Sequence, residues 1–374
     1  MGARSSQPRS PNLNKTDGHL IEYFRQTFGA GGGGTNFVDS PPGIVATGGT
    51  RTTYVDGSAK YAVHTFSSSG SLVVSSLSTN PDISDNCDFL VIGGGGGGTS
   101  DNVGNGAPEG RANAGGGAGG YRASTPEGPG GPSPSAESSL TLAVATYPVT
   151  VGGGGAGADG PGANAGTPGV ASVFAHPSPI VSQGGGGGGT YDPSTGLNGG
   201  SGGGATKYNG GPGPSVAGTG NRGDGTNQPT STTVPNQGYP GGIGVAVPGS
   251  SSGRAGGGGG AGGAGTDATP GNNWYPSGPG GIGKDSSITG SPVKRGGGGN
   301  AGSRDPNTPA ANTGSGYGGG EGSPSSGGNG GNGTDNTGGG GGGGGGGKSF
   351  GRTDGGNGGK GIVIVRYEIS PLQN

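Results

Sequence analysis

The sequence predicts a mostly β and irregular fold: a small antiparallel sheet or sandwich, built from strands near the two ends of the chain, joined to a bundle of packed polyglycine helices. Three observations carry that prediction. Glycine supplies 109 of 374 residues and proline 30, well over a third of the chain together. The few β-branched and aromatic residues are not scattered but gathered into short runs. The strongest of these runs bracket the glycine-rich stretch.

Composition this extreme reads as collagen-like or as disordered low complexity. Collagen requires glycine at every third position without interruption, and the chain never holds that period. Disorder is the competing expectation, because Leu, Ile, Val and Phe are too scarce for an ordinary side-chain core. Against it stand a net charge of only −2 and the clustering of the apolar residues beside the glycine tracts.

Residues 1–30 read as a docking segment. Leu20, Ile21, Phe24 and Phe28, with Tyr23 beside them, place apolar groups at helical spacing, Asp17 supplies a cap, and Gly29 stops the helix. An element this short needs a surface to lie on. That surface is either a larger assembly or the chain's own sheet, and the sequence leaves both open.

Residues 31–92 form a β region. Tyr54-Val55, Tyr61–Phe66 and Ser71–Ser75 read as strands separated by turns at Asp56-Gly57 and Ser69-Gly70. Asp88–Ile92 is a short apolar strand running straight into Gly93–Gly98. Further strands are expected at Leu140–Ala145 and Tyr147–Val151, and weaker ones at 172–174 and 180–181. Residues 361–374 hold the closing strand, Gly361–Ile369, expected to pair with the 31–92 region.

Between 93 and 360, glycine-rich runs alternate with variable loops; the main runs are 93–98, 115–120, 152–155, 184–189, 199–204, 256–260, 296–299 and 338–347. An ordered glycine loses more backbone entropy than any other residue and buries no side chain, so only its backbone donors and acceptors offset the cost. An extended helix of three residues per turn points those groups outward. Several such helices side by side can bond to one another, and only glycine allows the approach. At about 3.1 Å per residue, a six-residue run spans about 19 Å and the ten-residue run about 31 Å.

The histidine-to-β segment at 64–75, the junction FLVIGGGGGG at 89–98 and the ending GGNGGKGIVIVRY at 355–367 resemble the glycine-rich domain family common in bacteriophage structural proteins, notably those of marine cyanobacterial phages. The likeness covers roughly residues 50–370. Related domains occur in receptor-binding adhesins at the tips of phage long tail fibres and in an animal receptor tyrosine kinase, where polyglycine helices pack in layers and the joining loops contact the receptor. The resemblance implies a virion protein displaying variable loops, as a tail fibre or adhesin or as a capsid decoration. Its partners would be other virion proteins through the N-terminus and a host cell-surface protein or glycan. Phage fibres are often trimeric, so a homotrimer stays open, although no heptad imposes one.

Formal motifs carry little. Gly342–Ser349 fits G-x-x-x-x-G-K-S, but a phosphate-binding loop needs a buried strand before it and a helix after it, and polyglycine precedes this one. Gly154–Gly162 begins like a calcium-binding nonapeptide, yet Pro161 takes the large apolar position and no tandem copy follows. Arg222-Gly-Asp224 reads as a polar turn. His19, His64 and His176 lie in unrelated segments, and Cys87 is the single cysteine, so neither a metal centre nor a disulfide framework is expected. No pair of convergent catalytic groups can be named, which leaves a non-enzymatic protein without a cofactor as the expectation. The balance of 19 basic and 21 acidic residues, without a basic stripe, argues against a nucleic-acid partner. No stretch is apolar enough for a membrane span, and the N-terminus lacks the apolar centre of a secretory leader.

The aromatics Tyr191, Tyr208, Tyr239, Trp274, Tyr275 and Tyr317 fall among the variable loops. Aromatics on loops over a rigid scaffold suit carbohydrate or protein recognition; they equally suit folding over the bundle ends to shield glycine backbone. An extracellular-matrix or ice-binding protein built on the same polyglycine principle is the alternative from another class. An ice-binding face, however, calls for a regular array of Thr or Ala.

Overall fold

A computed structural model describes residues 43–100, 112–125, 136–159, 164–190, 194–208, 214–220, 236–247, 253–270, 277–303, 314–324, 327–346 and 353–371. The expected docking segment at 1–30, including Leu20, Ile21, Tyr23, Phe24 and Phe28, lies outside them.

Fifteen strands appear among the described residues: β1 (Val45–Thr47), β2 (Thr50–Asp56), β3 (Ala59–Phe66), β4 (Gly70–Ser76), β5 (Asn86–Ile92), β6 (Tyr121–Ala123), β7 (Leu140–Thr141), β8 (Ala145–Thr150), β9 (Ser172–Phe174), β10 (Ile180–Ser182), β11 (Thr206–Tyr208), β12 (Gly253–Ala255), β13 (Lys284–Ser286), β14 (Val293–Arg295) and β15 (Ile362–Pro371). Two larger sheets face each other. One is six-stranded, in the order β2-β3-β15-β5-β6 with β7 paired to β5, and the other follows β1-β4-β8-β9-β10.

The closing strand pairs as the sequence predicts. β15 lies antiparallel between β3, with Val365 opposite His64, and β5, with Val363 opposite Val91. The Asp56-Gly57 turn closes the β2–β3 hairpin, with Gly57 at φ +59°, a left-handed value that glycine takes without steric cost. The turn at 67–69 does something else: it carries the chain from β3 in one sheet to β4 in the other.

Side chains alternate across a strand, and both faces of the sheet are buried at β5 and β15. Val363, Val365 and Tyr367 face the second sheet, packing with Phe66, Leu72, Phe89, Val91, Tyr147 and Phe174. Ile362 and Ile364 face the other way with Val63, Leu90, Ile92 and Tyr121, under Ala261 and Ile288. The β13–β14 hairpin brings Ile288 to that face. Burial on both sides explains why Phe89–Ile92 and Ile362–Val365 are uninterruptedly apolar.

The expected strand at Leu140–Ala145 is broken. Leu142 turns into the core, 2% exposed, and the Ala143 amide donates to the Tyr147 hydroxyl at 2.7 Å, so pairing stops at Thr141 and resumes at Ala145. The sandwich also takes β6 to β10 from within the 93–360 stretch, so glycine segments and strands interleave along the chain.

Below the sandwich the glycine segments form a honeycomb. In the 93–99 segment, Gly93, Gly96 and Thr99 donate to Gly120, Gly117 and Ala114; Gly94 and Gly97 donate to Val170 and Thr167; Gly95 and Gly98 donate to Gly359 and Gly356. The same segment accepts from Gly155 and Ala158, from Gly185 and Gly188, and from Gly341 and Gly344. Each neighbour is met at every third residue, so the segment turns once per three residues and bonds to three donor and three acceptor neighbours. The 338–346 segment is enclosed in the same way. Within these runs φ stays out of the positive range, apart from Gly296 and Gly338 where the chain enters a run. This is the polyproline II conformation, with its backbone bonded sideways rather than to water.

Candidate functional site

The honeycomb has two unlike ends. At one, the segments continue directly into strands: Gly93 follows Ile92, Gly120 precedes Tyr121, and Gly361 precedes Ile362. At the other, Thr99, Ala114, Gly189, Gly204, Ser303, Ser323 and Gly344 come to a common level, linked by Thr99 to Ala114, Gly189 to Gly204, Gly204 to Gly115, and Ser303 to Ser323. Several described segments that end at or start from this level are separated in the sequence by residues 101–111, 160–163, 191–193, 209–213, 248–252, 271–276 and 347–352, which lie outside the described residues and are together richer in Pro, Asn and Ser than the glycine runs beside them.

The distal ends are sealed by short polar side chains. Thr99 exchanges hydrogen bonds with Ala114 through its hydroxyl, and Asn113 Nδ2 donates to the Gly344 carbonyl at 2.9 Å. Ala112, Ala114, Ala255 and Ala301 form a small apolar contact beneath them, and β11 pairs with β12 alongside. These groups satisfy backbone that would otherwise end unbonded.

The sequence-predicted aromatics divide between the two ends. Tyr208 lies in β11, opposite Gly253. Tyr191, Trp274 and Tyr275 lie outside the described residues. Tyr239 and Tyr317 do not belong to the distal set. Tyr239 sits within a glycine segment, its amide donating to Gly260 and its carbonyl accepting from Gly202, and its hydroxyl is buried without a hydrogen-bond partner. Tyr317 ends a 3-10 turn, Ser315–Tyr317. Lys294 Nζ stands 5.0 Å from its ring centre, which ties it to the sandwich side.

A second feature was not foreseen from the sequence. Along one flank, Asn329, Asn332 and Asp335 each accept through Oδ1 from a backbone amide of the adjacent segment: Asp354 at 2.9 Å, Asn357 at 2.8 Å and Lys360 at 3.1 Å. Both rows advance by three residues. Side chains here do what a further glycine helix does inside the bundle. Asp335 also pairs with the exposed Lys360 ammonium at 3.6 Å. Asn332, Asp335, Asn357 and Lys360, with Gly153–Ala156, line a groove of about 540 Å³. The signal in the sequence was the spacing itself, GNGGNGTD at 328–335 and TDGGNGGK at 353–360.

The formal motifs can be placed. Gly342 to Gly345 donate to Gly331, Asn300, Thr99 and Gly328, so those amides of the formal phosphate-loop motif are already bonded within the bundle; Lys348 and Ser349 lie outside the described residues, as does Arg222-Gly-Asp224. Among the described residues, no three His, Cys, Asp or Glu side chains stand where they could hold one metal ion, and no helix is long and apolar enough to cross a membrane. Cys87 is buried in the sandwich core, and burial, with the neighbouring Asp88 charge, pushes its thiol up to about 12.

Two ion pairs stand in the sandwich, Arg122 with Glu137 and Arg366 with Asp88. Arg366 holds Asp88 through two guanidinium nitrogens and donates to the Tyr54 hydroxyl at 2.7 Å. Burial alone would raise the Asp88 carboxyl, but Arg366 and the hydroxyls of Ser139 and Ser124 outweigh it and hold the carboxyl below its ordinary value. His64 is fully buried, between the Gly48 carbonyl at 2.7 Å and the Tyr367 hydroxyl at 2.9 Å. Burial lowers its pKa against the opposing pull of the Gly48 carbonyl.

No curated protein matches the chain. Residues 71–368 match the sequence profile of a family described as a glycine-rich domain, a span reaching from β4 through the honeycomb to the closing strand, and the chain therefore belongs to the glycine-rich domain family.

Proposed function

We propose that the chain is a non-enzymatic structural protein of a bacteriophage particle, a fibre or adhesin whose honeycomb is a rigid platform for recognition loops. The observation that supports this reading is the asymmetry of the bundle. Its segments bond to one another along their length and merge with a sandwich at one end. At the other end, described segments are separated in the sequence by stretches such as 101–111 and 271–276, which are rich in Asn and Pro. Loops over a rigid scaffold are where binding residues concentrate; Tyr208 lies in β11 at this end, and Tyr191, Trp274 and Tyr275 fall in such stretches of the sequence. Residues 1–30 would attach the protein to other virion proteins, and the distal loops would meet a host surface protein or glycan.

The test is adhesion. Fluorescently labelled protein is applied to whole cells of marine cyanobacteria and of unrelated bacteria, beside a variant in which 101–111 and 271–276 are replaced by Gly-Ser segments of equal length. The proposal expects saturable binding to a subset of strains that the variant loses. Binding that never saturates, that ignores the replacement, or that is absent throughout the panel contradicts it.

A further inference from the structure

β2 is an open sheet edge. It is the outermost strand of the six-stranded sheet, with β3 as its neighbour, and it pairs with β3 without a bulge, from Thr50 opposite Thr65 to Asp56 opposite Ala59. The two-residue turn Gly57-Ser58 makes Asp56 and Ala59 the hydrogen-bonded pair that closes the hairpin. Bonded and non-bonded positions alternate from there. Thr50, Thr52 and Tyr54 therefore bond to β3, and Arg51, Thr53 and Val55 turn their N–H and C=O groups outward. Among the described residues, no backbone hydrogen bond from outside the sheet reaches residues 50–56, and all of them except the half-buried Tyr54 are exposed.

Edges of this kind are normally blunted by proline, lysine, a bulge or shortness. β2, TRTTYVD, has none of these. It is seven residues long, and its Thr, Tyr and Val residues are good strand formers. Its two charges, Arg51 and Asp56, are opposite in sign and stand near its two ends.

The outward groups need another extended strand, and β2 itself supplies a matching one. In an antiparallel pair, outward groups must face outward groups, so self-pairing is limited to registers centred on a single residue. Centred on Thr53, the whole strand pairs: Thr53 with Thr53, Arg51 with Val55, Thr52 with Tyr54 and Thr50 with Asp56. Any other centre leaves residues overhanging. In this register Arg51, Thr53 and Val55 all find partners, and each such pair exchanges two backbone hydrogen bonds. No like charges stand opposite each other, and Val55, 54% exposed, lies beside the Arg51 stem.

We propose that β2 pairs antiparallel with β2 of a second copy about Thr53, joining the two six-stranded sheets into one. A two-fold contact of this kind closes on itself, so it gives a dimer and not a filament. Antiparallel pairing reverses the second copy along the strand direction. Because β5 and β15 run directly into glycine segments, the two honeycombs point away from each other, and the distal ends stand at opposite poles of the dimer. The inference does not depend on the particle reading above.

Sedimentation of the full chain across micromolar concentrations tests it, beside Thr53→Lys, which sets two ammonium groups opposite each other at an exposed position. Expected is a monomer–dimer equilibrium whose dissociation constant rises roughly tenfold or more in Thr53→Lys and recovers when Thr53→Lys is mixed with Thr53→Glu. Oxidation of single-cysteine variants reads the register, and the buried Cys87 does not compete. Thr53→Cys should form an interchain disulfide roughly tenfold or more faster than Val55→Cys, because two copies of residue 55 lie about 13 Å apart along the strands. A parent that stays monomeric throughout overturns the proposal, as does an oligomer indifferent to Thr53→Lys, or equal oxidation at 53 and 55.

Discussion

A Cβ placed on Gly96 would stand 2.2 Å from the carbonyl oxygen of Gly186, and one placed on Gly153 would meet nothing within 4 Å. Both residues are glycine in a polyglycine run, yet only the first is held by its surroundings. Enclosure, rather than glycine content, decides which positions of the honeycomb tolerate a side chain.

The first prediction follows from that contrast. Gly96→Ala forces a methyl group into close-packed backbone and costs at least the ~1–3 kcal/mol typical of overpacking. Gly153→Ala leaves packing unchanged and restricts the unfolded chain, for an expected gain of about 0.4–1 kcal/mol. Denaturant unfolding of the two variants beside the parent checks both signs, and equal destabilisation would mean that Gly153 is as enclosed as Gly96.

The flank ladder gives a prediction local to single amides. Replacing Asn329, Asn332 and Asp335 together by Ala removes the acceptors for Asp354, Asn357 and Lys360. Exposed groups regain water, so each rung should contribute no more than about 0.5–1.5 kcal/mol. Faster exchange at those three amides, with Gly356 and Gly359 unchanged, is the expected result. Gly356 and Gly359 donate into the interior, to Gly342 and Gly339.

Arg366 and Asp88 form an ion pair whose side chains are only 15% and 23% exposed. Arg366→Ala leaves a largely buried carboxylate unpaired and should cost about 3 kcal/mol, the lower end for a buried pair. The double variant Arg366→Met with Asp88→Leu removes both charges and should recover most of the loss. Urea midpoints of the single and double variants provide the comparison.

Stability should fall on mild acidification through His64. Its folded pKa lies below the ordinary 6.5 because burial disfavours the charged ring. The unfolded chain therefore binds the proton first, and the stabilisation is complete above about pH 6.5 and lost as pH falls from there towards the folded value. Asp88, held below its ordinary value, adds a second loss at lower pH, below about 4. Melting temperatures between pH 8 and pH 5 should decline in the parent and flatten in His64→Gln, which keeps a polar group for Gly48 and Tyr367.

Much of this architecture was legible in the sequence because its two ingredients are local. A run such as Gly93–Gly98 has nothing but backbone to bond, and Ile362–Val365 announces a strand buried on both faces. What was hidden depends on distant partners. His64 and Tyr367, hydrogen-bonded across 303 residues, belong to one sheet only because β15 enters between β3 and β5. The weak strands at 172–174 and 180–182 gain their place from pairing with β8 and with each other. Leu140–Ala145 reads as continuous in the sequence because the Tyr147 hydroxyl that breaks it lies outside its own pattern. Tyr239 resembles a loop aromatic in a Pro- and Gly-rich context, yet its backbone occupies a honeycomb position. The Asn and Asp rows of the flank were visible only as a three-residue spacing, which acquires meaning once a three-residue helix is known to lie beneath it.

The most direct test of the honeycomb is amide hydrogen exchange of the full chain, resolved across Gly93–Gly98, Gly184–Gly189 and Gly338–Gly346. Bonding between segments at every third residue predicts strong protection in all three runs, comparable to that of β5 and β15. Complete exchange within the dead time, with protection confined to the sandwich strands, would contradict the account.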